Sequence, residues 1–145
     1  MKRVVLDASV IIKWVLPERD SEADTDKALM LLEDIRADRL EVLQAPHWLA
    51  EVAAVLARLS PSTALEDIAN LHDLRFAVES GAELYFRATE LAIQLDHHLF
   101  DTLYHACAQG RSDTWLITAD ARYYRRAADL GFIMLLSDWP GAGRQ

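Results

Sequence analysis

Val4-Val5-Leu6-Asp7-Ala8-Ser9-Val10-Ile11-Ile12-Lys13-Trp14-Val15-Leu16 changes character at a single acid. Val4 to Leu6 is a short, β-branched apolar run, the pattern of a strand buried on both faces. Asp7 ends it, Ser9 follows, and Val10 to Leu16 reads as a short helix that stops before Pro17. The far end of the chain repeats the pattern. Trp115-Leu116-Ile117-Thr118 is a strand, Asp120 opens a helix that runs to about Leu130, Gly131 ends it, and Phe132 to Leu136 is the last strand.

Between these ends, strands and helices alternate. Ser21 can cap a helix whose apolar stripe is Ala28, Leu29, Leu31, Leu32 and Ile35. Leu40 to Leu43 is a second strand. Ala45-Pro46 starts a helix with Pro46 in its first turn, carrying Leu49, Val52, Val55, Leu56 and Leu59. Ser60-Pro61-Ser62 breaks it, and Ser62 can cap a helix through about Leu71. Leu74 to Val78 is a third strand, interrupted by Arg75. Helices follow over 82–95 and over 99–109, the second closed by Gly110. The alternation predicts a single α/β domain over 1–140, with a mostly parallel twisted sheet of about five strands covered by helices on both faces. Residues 141–145 are expected to form a loose tail.

The chain has 145 residues, 52% hydrophobic and 26% charged, which suits one globular domain and excludes a disordered chain. One cysteine, Cys107, rules out an intrachain disulfide and fits a reducing cytoplasm. No apolar run is long enough to span a bilayer, and the N-terminus is not a signal peptide. The net charge of −8 is unusual for a chain that would hold nucleic acid by charge alone. Either the partner is something else, or metal ions supply the missing positive charge at one site.

Four acids stand where chemistry is expected. Ligands of open parallel sheets bind beyond the carboxyl ends of the strands, and Asp7 and Asp120 follow two such ends. Glu51 and Asp101 lie in helical segments rich in apolar residues, where an acid needs a partner. Each alone also suits a cap or a surface position. Two like charges about 4 Å apart repel by about 4 kcal/mol at an effective dielectric near 20. A shared cluster would therefore call for a divalent cation, and hard oxygen donors favour Mg²⁺ or Mn²⁺ over Zn²⁺.

These residues also carry a resemblance. Val4-Val5-Leu6-Asp7-Ala8-Ser9-Val10-Ile11, Leu49-Ala50-Glu51-Val52, Phe100-Asp101-Thr102-Leu103-Tyr104 and Leu116-Ile117-Thr118-Ala119-Asp120 resemble, in order and spacing, the PIN-domain ribonucleases, most closely the VapC-type toxins of toxin–antitoxin pairs. The resemblance implies a parallel sheet flanked by helices, with Asp7, Glu51, Asp101 and Asp120 as an acidic quartet binding Mg²⁺ or Mn²⁺. It implies Ser9 and Thr118 as supports of the acids, and metal-dependent hydrolysis of RNA phosphodiesters by activated water. It also implies a homodimer and a VapB-like antitoxin whose C-terminal segment lies across the active groove. Two positions depart from the family: Thr102 stands where Ala is common, and His105 where an apolar residue is usual.

Other residues have two readings each. His98, Asp101 and His105 can share one helix face as a softer metal site; otherwise His98 is exposed and His105 is a hydrogen-bonded, partly buried ring. Arg122, Arg125 and Arg126, interleaved with Tyr123 and Tyr124, either hold phosphate and bases or form a solvated cationic face. Lys13 and Arg87 are lesser candidates for RNA contact. Cys107 reads as packing. Two further functions compete with the nuclease. One is an Asp-based phosphate-transfer enzyme, of the haloacid dehalogenase or phospho-acceptor type. It wants a second Asp where Ser9 stands, or a late Lys, and no Lys follows Lys27. The other is a catalytically silent PIN-like module that acts through a partner.

Overall fold

The computed structural model describes residues 3–16 and 22–143. Pro17, Ser21 and the last two residues of the expected tail lie outside these ranges. The chain runs β1 (Arg3–Leu6), α1 (Ala8–Val15), α2 (Glu22–Arg36), β2 (Glu41–Gln44), α3 (Trp48–Leu59), α4 (Ala64–His72), β3 (Ala77–Val78), α5 (Ala82–Leu95), α6 (Leu99–Gln109), β4 (Thr114–Thr118), α7 (Ala121–Ala127) and β5 (Ile133–Leu135). Short 3₁₀ turns follow α7 and β5.

The strands form one five-stranded sheet in the order β3-β2-β1-β4-β5, and every pairing is parallel. β1 is central: Val4 aligns with Val42 on one side and with Trp115 on the other. Val4, Val5 and Leu6 are fully buried, as an apolar strand covered on both faces requires. Among the described residues, no helix is long and apolar enough to cross a membrane.

Gln44, the last residue of β2, is fully buried. The Leu6 N–H donates to its Oε1, and its Nε2 donates to the Leu6 carbonyl, both at 2.9 Å. The side-chain amide thus replaces a ladder step where the β1 and β2 backbones have parted. It fixes the end of β1 immediately before Asp7.

Several expected boundaries move. The helix placed from Ala45 begins at Trp48, with His47 as its N-cap; Pro46 belongs to a turn closed by Trp48 N–H onto the Ala45 carbonyl at 3.3 Å. Thr63, not Ser62, is the N-cap of α4. The third strand shrinks to Ala77–Val78, because Arg75 adopts a positive φ of 53° and its N–H closes back onto His72. Nor does the chain run free beyond Pro140. The Ala142 N–H donates to Asp34 Oδ2 at 2.9 Å, and the buried Trp139 donates its Nε1–H to the same oxygen at 3.1 Å.

Candidate active site

The chain leaves β1 toward β2 and β3, then crosses back to lay β4 on the other side of β1. The carboxyl ends of β1 and β4 therefore flank the point where the crossovers diverge, the place where open parallel sheets bind ligands. Asp7 is the first residue after β1, and Asp120 lies two residues past β4. Glu51 and Asp101 sit in the first turns of α3 and α6, where a helix dipole favours an acid.

Asp7 is the N-cap of α1 and accepts from the Ser9 N–H at 3.0 Å. The Ser9 and Thr118 hydroxyls donate to its two oxygens. These two hydroxyls knit the strand ends together: Ser9 Oγ also accepts from the Ala119 N–H, and Thr118 Oγ1 from the Asp120 N–H, both at 3.0 Å. Burial pushes the Asp7 carboxyl from 3.8 up to about 7 against the pull of both hydroxyls, and the charges of Asp101 and Asp120 add to the rise. Asp120 caps α7, accepting from the Arg122 and Tyr123 N–H groups at 3.0 and 3.1 Å. Glu51 Oε1 accepts from the Tyr104 hydroxyl at 2.9 Å. Burial first, then the Glu51 and Asp7 charges, keep that phenol protonated far above its ordinary range. Asp101 Oδ2 faces His97 Nε2 at 2.8 Å.

Glu51, Asp101 and Asp120 line one open cleft of about 550 Å³, with Arg122 and Arg126 at its rim. Asp7 is buried within electrostatic reach of two of them. The structure thus brings the four acids to one edge, with Ser9 and Thr118 bonded to Asp7. It does not bring all the expected cations there. Lys13 is buried and Arg125 is exposed, and neither lines the cleft. Arg126 donates from Nη1 to the Leu95 and Asp96 carbonyls at 2.9 Å, closing the end of α5. Arg87 pairs with Glu79 at 3.0 Å, away from the cleft.

The shared helix face for His98, Asp101 and His105 does not form. α6 begins at Leu99, so His98 is its exposed N-cap, accepting from the Phe100 N–H at 3.2 Å. His105 is fully buried, bonded through Nδ1 to the Tyr123 hydroxyl at 2.9 Å and through Nε2 to the Gly131 carbonyl at 2.8 Å. Burial lowers its pKa, so the ring is neutral at pH 7. Thr102 is equally structural; its buried hydroxyl donates to the Ala88 carbonyl of α5 at 2.8 Å. Burial pushes the Cys107 thiol up to about 12, consistent with packing.

Three supporting residues escaped the sequence reading. Tyr104 binds Glu51, and His97 binds Asp101. The His47 ring stacks on Tyr104 at 4.4 Å while its Nε2–H donates to the Phe100 carbonyl at 2.8 Å. The available signals were a tyrosine three residues after an acid on a helix, and histidines just outside helix starts.

Among the described residues, no three His, Cys, Asp or Glu side chains form a ready-made metal cage. The chemistry of the donor set nonetheless fits a hard divalent cation. All four candidates are carboxylates, and burial, with a smaller push from the Asp101 and Asp120 charges, raises the Asp7 pKa, a rise that a cation beside it would oppose.

Comparison with known proteins identifies the family and the fold. The PIN domain family profile matches residues 4–129. No curated protein matches the chain by sequence. Among solved structures, the fold is similar to that of a chain of VapBC-1 from nontypeable Haemophilus influenzae. The TM-score is 0.63 at 16% identity, over 94% of this chain and 99% of that one.

Proposed function

Because the chain belongs to the PIN domain family, we propose that it is a ribonuclease that hydrolyses RNA phosphodiester bonds with Mg²⁺ or Mn²⁺, and that it is the toxin of a toxin–antitoxin pair. What supports this reading is that Glu51, Asp101 and Asp120 line one cleft, with the buried Asp7 within electrostatic reach of Asp101 and Asp120. An Asp-based phosphatase or phospho-acceptor is set aside with the family assignment.

Asp7, Glu51, Asp101 and Asp120 would hold the cation. When bound, it supplies positive charge that activates water and stabilises the leaving oxygen at phosphorus. The chain's own residues do the rest. Ser9 and Thr118 orient Asp7 by hydrogen bonds to each of its oxygens. Tyr104 aims Glu51, and the α7 N–H groups fix Asp120. Arg122 at the cleft rim is the cation best placed to hold a backbone phosphate of the substrate. A VapB-like antitoxin laying its C-terminal segment across this cleft, a homodimer and a cytoplasmic setting complete the proposal.

The test is cleavage of total RNA by antitoxin-free protein in Mg²⁺, Mn²⁺ and EDTA, beside the Asp7→Asn variant. Discrete fragments that require metal and vanish in the variant are expected. Cleavage that survives Asp7→Asn refutes the acid-site mechanism. A metal-free fold that binds antitoxin and cuts no RNA would instead mark a silent scaffold.

A further inference from the structure

Asp101 occupies an awkward position for a metal ligand. It stands at the first turn of a helix, its side chain about a third exposed (35%). A carboxylate so placed has several rotamers open to it, and each must be excluded before it can bind a cation in one geometry. His97 supplies the restraint. Its side chain is largely buried (11% exposed), and its Nε2 lies 2.8 Å from Asp101 Oδ2. His97 belongs to neither helix. Asp96 caps α5 in the left-handed region with φ of 48°, and the His97 N–H then closes onto the Ala92 carbonyl at 3.0 Å. The ring is thus delivered by the end of α5 to a residue of α6.

The ring is itself braced. It meets the Tyr123 ring in an edge arrangement, with centroids 4.9 Å apart and planes at 61°. Tyr123 is buried, and its hydroxyl reaches His105 Nδ1 at 2.9 Å. The Gly131 carbonyl can only accept, so His105 Nε2 carries the proton. Nδ1 is then an acceptor, and the Tyr123 hydroxyl must donate to it. That fixes the phenol's rotation. The Tyr123 N–H meanwhile donates to Asp120 Oδ1 at 3.1 Å. One column, Gly131–His105–Tyr123–His97, buried at its centre, therefore touches both Asp101 and Asp120. Neither departure His105 nor loop residue His97 has another chemical task on this scheme.

We infer that His97 is a positioning residue that holds Asp101 in its metal-binding orientation, braced through Tyr123 and His105 against the backbone of β5's approach. This rests on the reading of Asp101 as a metal ligand. The rival account is a part-buried contact that adds a little stability and does nothing for the site.

The experiment has two arms on the full chain. The first is metal-free: long-range ¹H–¹⁵N NMR of the wild type, which should show His97 protonated at Nε2 and the Asp101 carboxyl ¹³C shift moving in His97→Leu. A ring protonated only on Nδ1 overturns the proposal whatever the metal does. The second is calorimetric Mn²⁺ titration with kcat and KM on cleaved RNA for wild type, His97→Leu, His97→Gln and Asp101→Asn. Removal of such an outer partner should weaken Mn²⁺ binding and lower kcat by about 10- to 100-fold. KM for RNA should stay near the wild-type value, and His97→Gln, which keeps a donor, should recover most of the loss. Wild-type Mn²⁺ affinity and kcat in His97→Leu overturn the proposal. Wild-type Mn²⁺ affinity in Asp101→Asn overturns the ligand assignment beneath it, and the NMR arm then still decides whether His97 holds Asp101. If His97→Leu does not fold, His97→Gln and the wild-type spectrum carry the test.

Discussion

A buried carboxyl near a neutral pKa works against its own fold at physiological pH. Burial raises Asp7 to about 7, so its folded value lies above the unfolded value of 3.8. Its contribution to stability is complete below the unfolded value and is lost as pH rises through the folded one. In EDTA, Asp7→Asn should therefore melt above the wild type at pH 8, by on the order of 2 kcal/mol, with the gap closing toward pH 4. Thermal melts across that range check it; a variant less stable than wild type at pH 8 would mean that the Ser9 and Thr118 bonds outweigh burial. Asp7 was legible in the sequence because it interrupts an apolar run at a strand end, and the same logic found Asp120. His97 was not legible. It sits between two helices beside a second histidine, and no periodicity distinguishes the ring that binds Asp101 from the one that caps α6.

Elements were read best where burial is one-sided or total. β1 and β4 are apolar because both faces are covered, and their apolar runs made them visible. β3 is two exposed residues at the sheet edge; the run from Leu74 to Val78 marked the strand, but its length was overread because Arg75 turns the chain before it. Gln44 is the instructive miss: one polar residue closing an apolar strand, whose amide serves as a backbone surrogate for β1. Replacing it by Leu keeps the volume and strands the Leu6 N–H and carbonyl in the interior. Each unpaired group costs about 1–3 kcal/mol. We expect Gln44→Leu to lose about 2–4 kcal/mol in urea unfolding with an unchanged m-value, and RNA cleavage to fall further than stability explains, because Leu6 positions Asp7. Cleavage that tracks only the folded fraction would show that the strand end does not need this clamp.

At the scale of the whole molecule, the negative charge is divided by purpose. Four acids lie toward the carboxyl edge, where the proposed nuclease would use their charge. Asp34 is as buried as Asp7 but satisfied within the fold: it accepts from Arg39 Nε at 2.9 Å, from Trp139 Nε1 at 3.1 Å and from the Ala142 N–H at 2.9 Å. Burial pulls this carboxyl upward, but the Ala142, Arg39 and Trp139 hydrogen bonds together outweigh it and hold the pKa below the ordinary range. Asp34 thus joins α2 to the C-terminal turn across more than a hundred residues of chain. A sequence reading that expected a loose end past Pro140 had no way to see this, since the partners are a helix acid and a backbone N–H far away. With its folded pKa depressed, Asp34 contributes stability above its unfolded value and loses it as pH falls through the folded one. Asp34→Ala should cost about 3 kcal/mol at pH 7, because it leaves the buried Trp139 indole N–H and the Ala142 N–H without their acceptor, whereas the half-exposed Arg39 turns to water. The cost should shrink on acidification, as protonation removes the same bonds from the wild type. Asp7 drives stability the opposite way with pH, so the Asp7→Asn background isolates the Asp34 contribution. In that background wild-type Asp34 should give stability that rises with pH through the acid range, and the double variant a flat profile; a double variant that still rises would place the acid sensitivity of this fold elsewhere.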